Sequence, residues 1–178
     1  MGFSDISAFH AALARDGVAS IHSLMCKHLT ERPDDECSHA LRDILTGTMP
    51  DYEVAASNIA VLSGLLSTPF NLLRKDHILF IEDIDEAIYS IERMLYHLRL
   101  NGTLASTRAL IVGQFTEYKP SKDFDNMYDM VQRMVADYDF PVAYNFPVGH
   151  VDYNLPIIEG ANARLVVTPD KVRLTLSK

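Results

Sequence analysis

Three residue types that cooperate in acyl transfer occur in order along this chain: a serine at position 4, an acid at position 82 and a histidine at position 150. Ser4 sits in Gly2-Phe3-Ser4-Asp5, a small residue, a spacer, the serine and an acid ahead of a helix-like run. A hydroxyl is a weak nucleophile until a base takes its proton, and a tight turn into a helix exposes the oxygen while the first helical N–H groups face a developing oxyanion. The same residues suit a helix N-cap, for which Ser4 or Asp5 would serve. Glu82 follows the apolar run Ile78-Leu79-Phe80-Ile81, and the carboxyl ends of parallel strands are where ligands bind in α/β sheets. Asp83, Asp85 and Glu86 crowd it; Asp85 and Glu86 read as solvated loop acids, and the spacing lacks the glycine and distal glutamate of a calcium loop, so no metal site is expected. His150 closes Phe146-Pro147-Val148-Gly149-His150, a loop from which an imidazole titrating near neutrality could act as a base. His10 and His97 lie in helical patterns, His28 and His39 in polar stretches and His77 just before a strand, so these read as structural or exposed.

Each of the three must be delivered by an element end. Ile6, Phe9, Leu13 and Ala14 recur at spacings of three and four, predicting a helix over 4–15 that stops at Asp16-Gly17. A short strand is expected within 18–24, polar punctuation over 30–35, a helix over 38–45, and a linker at Thr48-Met49-Pro50-Asp51 that divides the chain at residue 50. Beyond it the pattern predicts a helix over 58–66, a strand over 78–81, a helix over 88–100 left at Asn101-Gly102, and a strand over 109–112. A helix over 124–138, a strand over 141–144 and a hairpin of 164–167 with 172–176 complete an α/β order. Serine, acid, histidine is also the chain order of α/β-hydrolases, but Ile6 breaks their G-x-S-x-G elbow.

The bulk composition excludes several roles. The chain has 178 residues, 48% hydrophobic and 22% charged, enough for a substantial core. Its formal net charge of −8, with 24 acidic against 16 basic side chains spread along the sequence, argues against nucleic acid or an anionic membrane as partner. Cys26 and Cys37 form no CxxC and read as reduced thiols in a cytoplasmic protein. No apolar run reaches membrane-spanning length, and the start carries no basic and apolar leader pattern.

The segment GFSDISA at 2–8 resembles the G-[YFH]-S-D-[IF]-T-A segment of the LD-carboxypeptidases, or muramoyltetrapeptide carboxypeptidases, a serine peptidase family that includes the microcin C immunity peptidases. ILFIEDIDEAIYSIERML at 78–95 and FPVGH at 146–150 resemble the segments carrying that family's acid and histidine, and 64–70, 111–116 and 155–157 extend the likeness. The resemblance implies a Ser4–His150–Glu82 triad with the Asp5 backbone N–H as one oxyanion donor. It also implies no metal or organic cofactor, a cytosolic homodimer, and cleavage of the L,D-amide that holds a terminal D-alanine in murein tetrapeptides. Relatives place a βα half with an Arg-Gly-Gly-Tyr-Gly-like loop before the serine, and that segment is not in this sequence. The expected architecture is therefore the end of a Rossmann-like N-terminal domain over 1–50, followed over 51–178 by a small α/β domain with a short parallel or mixed sheet. Ala56-Ser57 stands where relatives carry two glycines. Losing one oxyanion donor costs about 10²- to 10³-fold in rate and losing the nucleophile's geometry far more, so these 178 residues are expected to be feeble or inactive on their own. The alternative is a catalytically incomplete fragment that serves only as a binding or dimerisation module.

Overall fold

A computed structural model describes residues 1–52 and 76–177 of the chain. The helix expected over 58–66, Ala56-Ser57 and the 64–70 segment lie outside the described residues. The centre is a parallel sheet of β3 (His77–Ile84), β4 (Thr107–Thr116) and β5 (Val142–Ala143), in that order. Its strands are near-continuous apolar runs because both faces are covered, and alternate residues go to opposite cores. Leu79, Ile81, Leu110 and Val112 face helices α4 (Ile88–Leu100) and α6 (Met127–Val135), which bury Ile88, Ile91, Leu95 and Leu98 and a row of Met127, Met130, Val131 and Met134. Phe80 and Ile111 face a second core with Phe146, Val148, Leu155, Ile157, Leu174 and Leu176. The short α5 (Thr103–Ser106) leads into β4.

The second core is roofed by an antiparallel sheet in which β8 (Val172–Ser177) lies between β2 (Asp51–Tyr52) and β7 (Asn162–Val167). The stretch expected as a linker thus contributes β2, fastened by Leu176 N–H to the Pro50 carbonyl at 3.1 Å and by Arg173 gripping Asp51. At the N-terminal end, a 3-10 turn over Ser4–Ile6 runs into α1 (Ser7–Arg15), which leads to β1 (Ser20–His22), α2 (Cys26–Glu31) and α3 (Glu36–Leu45). β1 pairs antiparallel with β6 (Ile157–Glu159), with Ile21 opposite Ile158.

The α/β expectation holds, with local corrections. α2 occupies part of the stretch read as punctuation, and α6 begins at Met127 because the Asn126 side chain caps it, accepting from Tyr128 N–H at 2.8 Å. β6 was not expected, since three residues after Pro156 carry little pattern of their own. The stripe that predicts α1 is not its buried face: Phe9 is 67% exposed and Leu13 41%, while Ser7 and His10 are buried. Among the described residues no helix is long and apolar enough to cross a membrane.

Ile81, fully buried beside Glu82, tests this packing. Ile81→Ala should lower unfolding free energy by about 2–5 kcal/mol in urea titration; a loss under about 1 kcal/mol would contradict a close-packed sheet–helix layer.

Candidate active site

Glu82 lies inside β3 rather than after it, which corrects the expected strand end. Burial there is made possible by an irregularity: Ile81 pairs with Val112 but Asp83 with Phe115, so two β4 residues, Gly113 and Gln114, oppose Glu82. Such a bulge turns one side chain out of the regular alternation. Glu82 is fully buried, and Asp83 nearly so.

The far side of this bulge receives the histidine loop. Phe146 N–H donates to the Val112 carbonyl at 3.1 Å and Gln114 N–H to the Val148 carbonyl at 2.8 Å, so residues 146–149 run as an extension of the sheet beside β4. The Gln114 amide also donates to the Phe146 carbonyl at 3.0 Å, and Gly149 N–H donates to Asn154 Oδ1 at 3.3 Å. Gly149 has φ +137° and no room for a side chain: a Cβ would meet the Gln114 carbonyl oxygen at 2.8 Å and Glu82 Oε2 at 3.1 Å. That close approach sets His150 Nδ1 at 2.8 Å from Glu82 Oε2.

A carboxylate can only accept, so it holds the imidazole proton on Nδ1 and leaves Nε2 as the basic nitrogen. The bond to Glu82 raises the His150 pKa above 6.5, against the opposing effect of burial. A raised folded-state value means the pairing stabilises the fold fully below pH 6.5, with its contribution fading as pH rises through that folded value. Glu82 Oε1 has no hydrogen-bond partner among the described residues, so the imidazole is the carboxylate's main compensation for leaving water.

Ser4 opens the 3-10 turn with φ +60°, in the left-handed region. For a residue with a Cβ this costs about 1–2 kcal/mol and persists only where the surroundings dictate it. The capping role is not realised: Phe3 occupies the N-cap position of the turn, and no side chain caps there. The turn is aimed by a single residue of extended chain, Gly2, which bridges in parallel to His22 through Gly2 N–H to the Ile21 carbonyl at 3.1 Å and Ser23 N–H to the Gly2 carbonyl at 3.0 Å. A Cβ on Gly2 would meet Ile6 at 3.0 Å, so glycine lets the turn fold back on itself. Phe3 lies against the His150 ring with centroids 5.0 Å apart, which brings the Ser4 turn to the Glu82–His150 pair. Asp5 is exposed at the start of the helical segment, where backbone N–H groups lack intrahelical partners.

Sequence reading named His10 only as a structural or exposed helix residue and left out His22 and Ser20; all three pack beneath this turn. His10 bonds Ser20 Oγ at 2.8 Å and the Gly2 carbonyl at 3.0 Å. His22 is fully buried among Phe3, His10 and Phe80, and burial holds its pKa down to about 3. Its neighbour Glu159, 3.7 Å away, is pushed up to about 8 by burial, so the two meet as neutral groups near pH 7. The available signal was the i, i+3 spacing of Ser7 and His10 opposite the apolar stripe. Cys26 and Cys37 are free thiols, and among the described residues no cluster of three or more His, Cys, Asp or Glu side chains could hold a metal ion.

Residues 53–165 match the family model of the LD-carboxypeptidase C-terminal domain. A probable murein peptide carboxypeptidase of Bacillus subtilis is 27% identical over 189 residues, covering 92% of this chain and 58% of that protein. A putative carboxypeptidase of Synechocystis sp. is 27% identical over 179 residues, covering 93% and 60% respectively. The chain thus spans about 60% of the length of these curated relatives. The solved muramoyltetrapeptide carboxypeptidase from Oxalobacter formigenes superposes with a TM-score of 0.87 at 26% identity, over 99% of this chain and 68% of that one. The microcin C7 self-immunity protein MccF shares the fold, with a TM-score of 0.82 at 19% identity over 99% of this chain and 66% of its own.

Gly149→Ala should cost about 1–3 kcal/mol of stability and return the His150 pKa toward its ordinary value, read by urea titration and by imidazole NMR. Unchanged stability together with an unchanged pKa would show that the close approach is dispensable.

Proposed function

Because the chain belongs to the LD-carboxypeptidase family, through the match of residues 53–165 to that family's C-terminal domain, we propose that it carries the nucleophile, base and acid of a serine carboxypeptidase acting on murein peptides. The observation that carries this reading is the buried Glu82–His150 hydrogen bond with Phe3, the residue before Ser4, against the imidazole.

In the proposed reaction Ser4 Oγ attacks the carbonyl carbon of the L,D-amide while His150 Nε2 takes the hydroxyl proton. The N–H of Asp5, at the start of the helical segment, donates to the oxyanion. Collapse of the intermediate breaks the C–N bond and His150 returns the proton to the departing amine of D-alanine. Water, giving its proton to the same imidazole, then attacks the acyl-serine, whose C–Oγ bond breaks as His150 returns that proton to Ser4 Oγ and the tripeptide acid leaves. Glu82 keeps Nδ1 protonated and stabilises the imidazolium in both steps. The chemistry needs no cofactor. The proposed substrate is a murein tetrapeptide in the cytoplasm, and the proposed assembly is a homodimer.

Ser4→Ala should abolish release of D-alanine from a murein tetrapeptide, by at least about 10⁴-fold, while the chain still folds. Activity that survives this change would remove the nucleophile reading, whereas a folded parent chain that releases no D-alanine would leave a binding or dimerisation module. The pH profile gives a separate check. His150 acts as base only when neutral, so kcat/KM should rise with pH to a plateau, with a midpoint above 6.5. Glu82→Gln removes what raises that pKa, and the midpoint should move to lower pH with a large drop in the plateau. A midpoint unmoved by this substitution would assign the titration to another group.

A further inference from the structure

His10 is 1% exposed and takes no part in the reaction proposed above. We propose that His10 is a positioning residue for Ser4, clamping the peptide that enters the nucleophile turn to the helix that leaves it. The inference rests on Ser4 being the nucleophile and adds a residue outside its triad.

The direction of each bond follows from chemistry. The Gly2 carbonyl can only accept, so His10 Nε2 carries the hydrogen across the 3.0 Å contact. Burial lowers the His10 pKa, keeping the ring neutral. A neutral ring with its proton on Nε2 has an accepting Nδ1, and Ser20 Oγ–H donates to it at 2.8 Å. Ser20 belongs to β1, so the imidazole is held from that strand and itself holds the Gly2 carbonyl.

The result is a closed ring of chain. Ser4 lies between Gly2 and His10, and the hydrogen bond joins the two ends of that segment. The Gly2 carbonyl also accepts from Ser23 N–H at 3.0 Å, and Gly2 N–H donates to Ile21 at 3.1 Å, so both sides of this residue are fixed. Ile6, in contact range of Gly2, packs inside the loop. With the peptide before Phe3 and the helix after Ile6 both anchored, Phe3 and Ser4 have little freedom left, and this is what keeps Ser4 at φ +60°. A buried histidine whose two nitrogens join backbone to strand is a larger investment than a helix needs for packing, where an apolar side chain would serve.

The test uses the full chain with His10→Phe, His10→Gln and Ser20→Ala. Phe fills the space without a donor, whereas Gln offers an amide N–H to Gly2 and an oxygen to Ser20. The readouts are the rate at which a fluorophosphonate probe modifies Ser4, with Ser4→Ala as the labelling control, kcat and KM on a murein tetrapeptide, and amide hydrogen exchange at Ser23. His10→Phe should slow probe capture and kcat by about 10- to 100-fold with KM within about threefold, and speed exchange at Ser23. His10→Gln should recover rates to within about fivefold of the parent. Wild-type rates in a folded His10→Phe chain, or no rescue by Gln, would overturn the clamp. If His10→Phe does not fold, Ser20→Ala, which frees Nδ1 and lets the ring turn, should slow capture several-fold, and an unchanged rate overturns the proposal. Should the parent chain's Ser4 prove unreactive, the nucleophile reading fails by itself; Ser23 exchange still reads the clamp, acceleration supporting it and no change refuting it.

Discussion

A carboxylate withdrawn completely from water must find its compensation nearby, and Glu82 finds it in the imidazole of His150. Much of the surrounding structure can be understood as what this one bond requires. The β3–β4 bulge turns Glu82 out of the sheet's alternation, the 146–149 loop joins β4 as an added edge, and Gly149 removes the side chain that would keep the partners apart. Each is costly in isolation: a bulge loses a ladder bond and a glycine loses conformational entropy. They persist because the hydrophobic cores on both faces of the sheet fix β3 and β4 independently of the site.

The serine is held by a different kind of restraint. Among the described residues the side chains packed beneath the Ser4 turn are largely polar, with Ser7, His10, Ser20, His22 and Ser23 all buried. Directional hydrogen bonds specify backbone conformation more sharply than dispersion contacts do, and a left-handed serine needs that sharpness. An apolar sheet thus places Glu82 and His150, and a polar nest places Ser4.

The parts of the fold legible in the sequence are those governed by local periodicity. Ile88–Leu100 forms the helix that its apolar spacing predicts, and Ile78–Ile81 is a buried strand because a run apolar at consecutive positions suits a sheet covered on both faces. Ser4, Glu82 and His150 stood out because the sequence pattern put each at an element end in a chemically suggestive context, although Glu82 proves to lie within β3. The buried face of α1 was not legible: a hydrophobic stripe at Phe9 and Leu13 outweighed Ser7 and His10, whose burial depends on partners at Gly2 and Ser20 that no helical pattern encodes. Glu82 was expected beyond the strand because an acid in a β-run looks like a terminus; only a bulge, which is a property of two strands together, keeps it inside. β6 escaped notice for the same reason, since its identity as a strand comes from β1.

That β1–β6 ladder has a consequence for how the molecule is made. During synthesis the serine turn leaves the ribosome well ahead of Ile157–Glu159, which emerges only after the central sheet and its helices have been translated. Pairings between remote stretches form slowly because a long loop must close before any contact rewards it. The nascent protein therefore completes its central sheet and helices while β1 still lacks β6, and the setting of the Ser4 turn is among the last features to appear. Late assembly of this kind leaves the partly built polypeptide without a finished Ser4 turn.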